Sequence, residues 1–267
     1  MVKRALCVGI NKYPRADLEL RGCVNDADAW ASLLVDHYDF ARPDVRLITN
    51  AKATKRNIVA ALGDLLAHSA KGDVLVFTNS SHGTYVADTD GDESLYDEAI
   101  CPYDCETDLI VDDELRTLFS GIPQGVRTYV ISDSCHSGSV TREPPLETPD
   151  RRRKRYLDPI ALGRRGLDDV RRQARPRRES EVAEDDMNEL LLSGCRSDQY
   201  SYDAKFGRRF HGAMTQTALD TIIAADYRLT WSQLHRQLVP ALEAAAYDQE
   251  PQLEGRTSRF DSPLFSA

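Results

Sequence analysis

The sequence predicts an α/β fold, a mostly parallel six-stranded sheet with helices on both faces. Two observations predict it. Short apolar runs alternate with segments of helical spacing along most of the chain. Three of these runs are continuously apolar rather than alternating, the pattern of parallel strands covered on both sides.

Residues 4–10 form the first such run and predict a strand. Residues 22–40 carry Ala27, Trp30, Leu33 and Leu34 on one helical face. A second strand is predicted at 45–49. Thr54 suits an N-cap for a helix to about Ser69, with Ile58, Ala61, Leu62 and Leu65 along its buried stripe. Further strands are predicted at 73–78, 126–132 and 188–193, and a last short one at 251–253. The segments 112–119, 212–226 and 230–246 read as helices.

Composition narrows the function classes. A chain of 267 residues, 41% hydrophobic and 29% charged, holds one large domain or two small ones. No apolar run approaches the roughly 18–20 residues of a membrane span. The N-terminal apolar stretch meets Asn11-Lys12 too soon for a signal peptide, so no membrane partner and a cytoplasmic location are expected. Six cysteines, at 7, 23, 101, 105, 135 and 195, are too scattered for a disulfide framework. Cys101 and Cys105 are the one close pair, with nothing nearby in sequence to complete a zinc site.

Charge is unevenly placed. Residues 151–178 hold eleven Arg and one Lys against three Asp, in a chain whose net charge is −9. Few aromatic or β-branched residues accompany them, and Pro144, Pro145, Pro149, Pro159 and Pro176 punctuate the region. Such a composition buries little apolar surface. Residues 141–186 are therefore expected to be a mobile insertion, with room for one helix near 160–173. It separates a body segment at 1–140 from a smaller one at 187–267 that completes the same domain. Arginine clusters also bind phosphates, but the sequence pI of 5.2 and the missing aromatic interleaving make nucleic acid an unlikely partner.

In a parallel sheet, function gathers beyond the carboxyl ends of the strands. The strand at 73–78 runs out into Asn79-Ser80-Ser81-His82-Gly83, and that at 126–132 into Asp133-Ser134-Cys135-His136-Ser137-Gly138. Neighbouring strands lie about 4.8 Å apart, so a His and a Cys at two such ends come within reach. An imidazole can take the thiol proton, and the thiolate can attack a carbonyl. The amide N–H groups of Gly83 and Cys135 could then hold the oxyanion. No glycine-rich phosphate loop follows the first strand.

At this point the chain resembles a metacaspase, within the caspase-like cysteine peptidases. The residues that carry the likeness are Val8 to Tyr13, Leu20 to Ala27, Ser81 to Thr84, Tyr96 to Pro102, Asp112 to Leu115 and Asp133 to Ser139. In the C-terminal part they are Leu192 to Arg196, Asp198-Gln199 and Gly212 to Thr215. The interval of about 50 residues between the His and the Cys also suits a caspase. Only the basic insertion lacks a counterpart.

The resemblance implies a caspase-like sheet, with Cys135 as nucleophile, His82 as general base and Gly83 at the oxyanion site. It implies an endopeptidase cleaving after Arg, with Lys as the second choice, and protein or peptide substrates. Asp26 and Asp133 would bind the Arg side chain, which two carboxylates can satisfy bidentately. Ser80 and Asp198 are further candidates for the cleft wall. Ser81 stands where the family often has Gly before the His. Asp97, Asp112 and Asp113 match three positions of the family's calcium site, but Arg142 stands at the fourth, so no cofactor is expected to be required. An Arg-rich insertion beside an Arg-selective cleft is both substrate and plug. Its cleavage, by the chain itself or by an upstream protease, is expected to activate the enzyme. Acyl transfer through the same thioester, and a catalytically silent scaffold using the charged insertion, remain the alternatives.

Overall fold

The computed structural model describes residues 1–87, 96–135, 152–164 and 187–267. In chain order the elements begin with β1 (Lys3–Gly9), α1 (Cys23–His37), β2 (Val45–Thr49), α2 (Lys55–Ala67) and β3 (Val74–Ser80). Next come β4 (Gly83–Ala87), β5 (Tyr96–Ile100), β6 (Ile110–Val111), α3 (Asp112–Ser120), β7 (Arg127–Asp133) and β8 (Arg152–Lys154). The C-terminal part holds β9 (Glu189–Ser193), β10 (Tyr202–Phe206), β11 (Arg209–Gly212), α4 (Ala213–Ala224), α5 (Trp231–Ala244) and β12 (Gln252–Glu254).

Six strands form the central sheet in the order β12-β9-β7-β3-β1-β2. All its pairings are parallel except that of the edge strand β12 with β9. Because β9 pairs with β7, the segments on either side of the basic region build one sheet.

Side chains alternate across a strand, and the alternation divides the core. Ala5, Cys7, Val74, Val76, Tyr129 and Ile131 pack on one face with Trp30, Leu34, Met214, Ile222 and Trp231 of α1, α4 and α5. Leu6, Val8, Leu75, Phe77 and Val130 pack on the other with Ile58, Leu62 and Phe119 of α2 and α3. Both parities are buried, which is why β3 reads as a continuous apolar run. Its seven residues are all buried. The expected helix ends hold to within a few residues. Thr54 caps α2 by accepting from the Asn57 N–H at 3.3 Å.

Two three-stranded sheets, β4-β5-β6 and β11-β10-β8, were not expected from the sequence. Their strands are short, two to five residues, and leave no periodic signal. The larger correction concerns the basic segment. Residues 152–164 are packed into the body: β8 pairs antiparallel with β10, and a 3-10 turn spans Pro159–Leu162. That turn stops at Gly163, in the left-handed region with φ 69°. Leu157, Pro159 and Leu162 are buried, and polar contacts of the arginines dock the rest, which composition alone did not reveal. The rest of the segment, 141–151 and 165–186, lies outside the described residues. So do the acidic run at 88–93, and Arg142.

Candidate active site

Strand β3 delivers His82 and β7 delivers Cys135. Ser80 and Asp133 are register partners at the ends of these adjacent parallel strands, so each functional residue lies two positions beyond a matched pair. Both are buried.

His82 is fixed from several sides. Its Nε2 lies 2.8 Å from the Leu18 carbonyl, which only accepts, so Nε2 carries the proton. The basic nitrogen is therefore Nδ1, which has no hydrogen-bond partner among the described residues. The His82 amide donates to the Tyr13 hydroxyl at 3.1 Å, and its carbonyl accepts from the Cys101 amide at 2.9 Å. Burial lowers the imidazole's pKa to about 3; the Leu18 bond offsets this only partly, and the nearby Arg153 and Arg155 charges add to it. The ring is neutral at neutral pH and able to accept a proton.

The Cys135 thiol donates to the Gln199 carbonyl at 2.8 Å. Cys195 donates to the same oxygen at 3.5 Å, and its thiol is pushed up by its hydrogen bond to Cys135 and by burial.

One residue of the basic segment organises everything else. The Arg155 carbonyl oxygen accepts from the Gly83 amide at 2.9 Å and from the Cys135 amide at 3.2 Å. Its side chain is fully buried. Nη2 lies 2.6 Å from Asp26 Oδ2 and 3.2 Å from Asp203 Oδ1, and Nη1 lies 3.3 Å from Asp133 Oδ2. Nη1 also donates to the Ser80 hydroxyl at 3.3 Å and to the Asp133 carbonyl at 3.0 Å. Asp26, Asp133 and Ser80 thus meet on one guanidinium.

The remaining lone pairs of these carboxylates are filled. Asp26 accepts from His211 Nδ1 at 2.9 Å and from the Gly212 amide at 3.1 Å. Asp133 accepts from Ser201 Oγ and from the Thr215 amide and hydroxyl, at 3.0 and 2.7 Å. Asp203 accepts from the Arg21 and Gly22 amides at 2.9 and 2.8 Å. Burial works to raise the Asp26 pKa, but the Arg155 charge and His211 outweigh it and hold the group below its ordinary value. At Asp203 burial wins over the Arg155 attraction, and the pKa is raised. Position 212 has to be glycine, since a Cβ there would overlap Asp133 Oδ2 and Arg155 Nη1.

Asp198 does not reach this pocket. It sits half exposed and pairs with Arg196 at 2.9 Å, and Arg196 also reaches Glu250. Asp203 takes the place proposed for it. The hint in the sequence was an acidic residue between Tyr202 and Ala204, all three buried in β10. Tyr13, Leu18 and Gln199 were missed because they act through a hydroxyl or main-chain carbonyl, which no residue-type pattern marks.

At the positions matched to a calcium site, Arg116 lies 3.1 Å from Asp112 Oδ2 and 2.8 Å from Asp113 Oδ1, and Asp112 Oδ1 is buried with no hydrogen-bond partner among the described residues. Among the described residues no group of three or more His, Cys, Asp or Glu could hold a metal. All six cysteines are buried, and none is joined in a disulfide among the described residues. Among the described residues no helix is long and apolar enough to cross a membrane.

Caspase-like proteins are the class this architecture matches. A crystal structure of a protein from Geobacter sulfurreducens aligns with a TM-score of 0.74 at 25% identity, covering 100% of this chain and 99% of that one. Caspase-1 from Spodoptera frugiperda shares the fold, with a TM-score of 0.56 at 12% identity over 95% of this chain and 86% of that one. Residues 3–144 match the family model described as metacaspase, peptidase C14 domain. Metacaspase-1 of Scheffersomyces stipitis is 32% identical over 288 residues, 94% of this chain and 70% of that protein. Metacaspase-4 of Arabidopsis thaliana is 38% identical over 165 residues, which cover 59% of this chain but only 39% of that relative's length. The chain belongs to the metacaspase family of cysteine-type peptidases.

Proposed function

We propose that the chain is an endopeptidase cleaving after Arg, that Arg155 is its own first substrate, and that cutting the Arg155–Tyr156 bond opens the cleft. The observation that carries this reading is the double engagement of Arg155. Its guanidinium meets three carboxylates while its carbonyl oxygen meets two converging amides. A structural ion pair has no need of the second contact, which is the geometry of a bound acyl group.

The reaction follows from the groups present. Cys135 Sγ turns from the Gln199 carbonyl toward His82, gives its proton to Nδ1 and attacks the Arg155 carbonyl carbon. The amides of Gly83 and Cys135 hold the resulting oxyanion. Collapse breaks the bond to Tyr156, and the imidazolium returns its proton to the leaving amine. Water then hydrolyses the thioester, freeing the thiol and an Arg155 carboxylate. Burial keeps the imidazole neutral at rest, so Nδ1 is open to take the thiol proton as Sγ attacks. Before cleavage the covalently attached segment competes at high effective concentration with any outside substrate. An upstream protease cutting at the same bond would act as an alternative trigger.

Intact-mass measurement on purified chain tests the reading. Wild type is expected to yield fragments ending at Arg155 and beginning at Tyr156, and then to turn over Arg peptides. Cys135→Ala and Arg155→Gln are expected to remain whole. Cleavage of Cys135→Ala at the same rate, or processing only at another arginine, would sink it.

A further inference from the structure

Ahead of Arg155 every described side chain is a cation, and each lands on a separate acceptor. Lys154 Nζ lies 3.7 Å from the centroid of the Tyr200 ring. Arg153 donates from Nη1 to the Glu19 carbonyl and from Nη2 to the Asp17 carbonyl. Arg152 donates to the Ala246 and Ala245 carbonyls at 2.5 and 3.0 Å, and its guanidinium lies 4.1 Å from the centroid of the Tyr247 ring. Those carbonyls close the C-terminal end of α5, the negative end of its dipole. The main chain is held as an added strand: Lys154, Arg153 and Arg152 face Tyr202, Asp203 and Ala204 of β10, and the Arg155 amide donates to the Ser201 carbonyl at 2.9 Å.

Strand addition holds any extended peptide, whatever its sequence. Selection therefore falls to the side-chain acceptors. Main-chain carbonyls and aromatic faces answer a cation, go unmatched by a neutral residue, and repel a carboxylate. Beyond the bond, Tyr156 lies between the Tyr85 and Tyr200 rings, at 6.3 and 5.7 Å. Leu157 is 6% exposed within the core, donates its amide to the Gly83 carbonyl at 2.9 Å, and accepts from Thr84 Oγ1 at 2.8 Å.

We propose that the cleft selects a run of four basic residues rather than a lone arginine. Its outside substrates are then proteins with an Arg-Arg-Lys-Arg-like stretch followed by an aromatic and an aliphatic residue. This inference rests on the endopeptidase reading above and extends it to the residues flanking the cut. It also gives the Arg152 to Leu157 stretch a second meaning, as the chain's own record of its preferred sequence.

The test is kcat/KM of the self-processed enzyme on quenched peptides, so that the enzyme itself is unaltered. One peptide carries Arg-Arg-Lys-Arg-Tyr-Leu, a second Ala-Ala-Ala-Arg-Tyr-Leu, and three more replace a single basic residue by Ala. The four-cation peptide is expected to exceed the Ala-Ala-Ala-Arg peptide by about tenfold or more, the equivalent of one good cation–aromatic or charged hydrogen bond. Tyr247→Leu is expected to shrink the gain from the residue four before the cut, in line with the Arg152 contacts. Equal turnover of the two peptides, with both cut after Arg, would overturn the inference and leave the endopeptidase reading intact. Failure to cut any Arg peptide, by a chain that unfolds cooperatively, would overturn both.

Discussion

The central sheet and the segment at 152–157 are both packed into the body, yet opposite forces hold them. In the sheet, Leu75, Phe77 and Val130 are buried on one side and Val74, Val76 and Ile131 on the other. Apolar burial of that kind is non-directional and needs no matching partner. The segment contributes Leu157 to such surface and is otherwise mostly polar. It is held by Arg155 among three carboxylates, by main-chain pairing to β10, and by cations on carbonyls and rings. Contacts of that kind are directional and fail together when one partner leaves. The difference teaches that directional polar contacts place the segment, whereas non-directional apolar burial places the sheet.

The sharpest way to break this comparison is Arg155→Met in a Cys135→Ala background, where no cut intervenes. Removing the guanidinium leaves carboxylates facing one another, an effect of about 3–5 kcal/mol at a buried pair. The prediction is that it falls on docking, not on the fold. Hydrogen-exchange protection at the amides of residues 83, 135 and 157 should drop while the main unfolding transition stays in place. A main transition that shifts by the full amount would make the segment part of the core.

Leu75→Ala is the complementary change. It removes a fully buried side chain from the middle of β3, and about 2–5 kcal/mol should be lost. Denaturant unfolding should register it as a lower midpoint with one transition. Protection of the docked segment should fall only as far as global stability falls. A selective loss at residues 152–157 would show that the sheet's packing sets the pocket's grip.

Acid should separate the regions through their titratable groups. The sheet's apolar side chains carry no charge to titrate, and its buried Glu189, raised by desolvation, favours the fold as it takes up a proton. His82 has a folded pKa near 3 against an ordinary 6.5, so between those values the unfolded chain binds the extra proton. Stability therefore rises with pH across that window and is lost as pH falls through it. Asp26, held below its ordinary value, adds a contribution that is lost only as pH falls through that lowered pKa. Asp203 has a raised pKa and so acts in the opposite sense, favouring the fold as it takes up its proton. Denaturant titrations between pH 7 and 3 should show a slope that His82→Gln flattens above pH 4. An unchanged slope in that variant would assign the titration elsewhere.

Much of this molecule was legible before any fold was known. Continuous apolar runs such as that of β3 mark strands covered on both faces, and shorter runs between helical segments marked the other strands of the main sheet. His82 and Cys135 could be picked out because strand ends are where a parallel sheet exposes chemistry. Asp26 and Asp133 came from family likeness, and Asp198 came with them as a candidate for the cleft wall. It pairs with Arg196 at the surface, whereas Asp203 reaches the guanidinium.

The sequence by itself determined the sheet, because hydrophobic periodicity is a local record of what will be buried. It also determined that a basic segment would follow Cys135. Which arginine enters the pocket was decided only in three dimensions. Eleven arginines lie between 151 and 178. Nothing local sets Arg155 apart from its neighbours. The choice depends on β10 pairing with β8 in a single register, which fixes where one carbonyl meets two amides and one guanidinium meets three carboxylates. Those partners come from α1, β7 and β10, and only the folded chain brings them to one point.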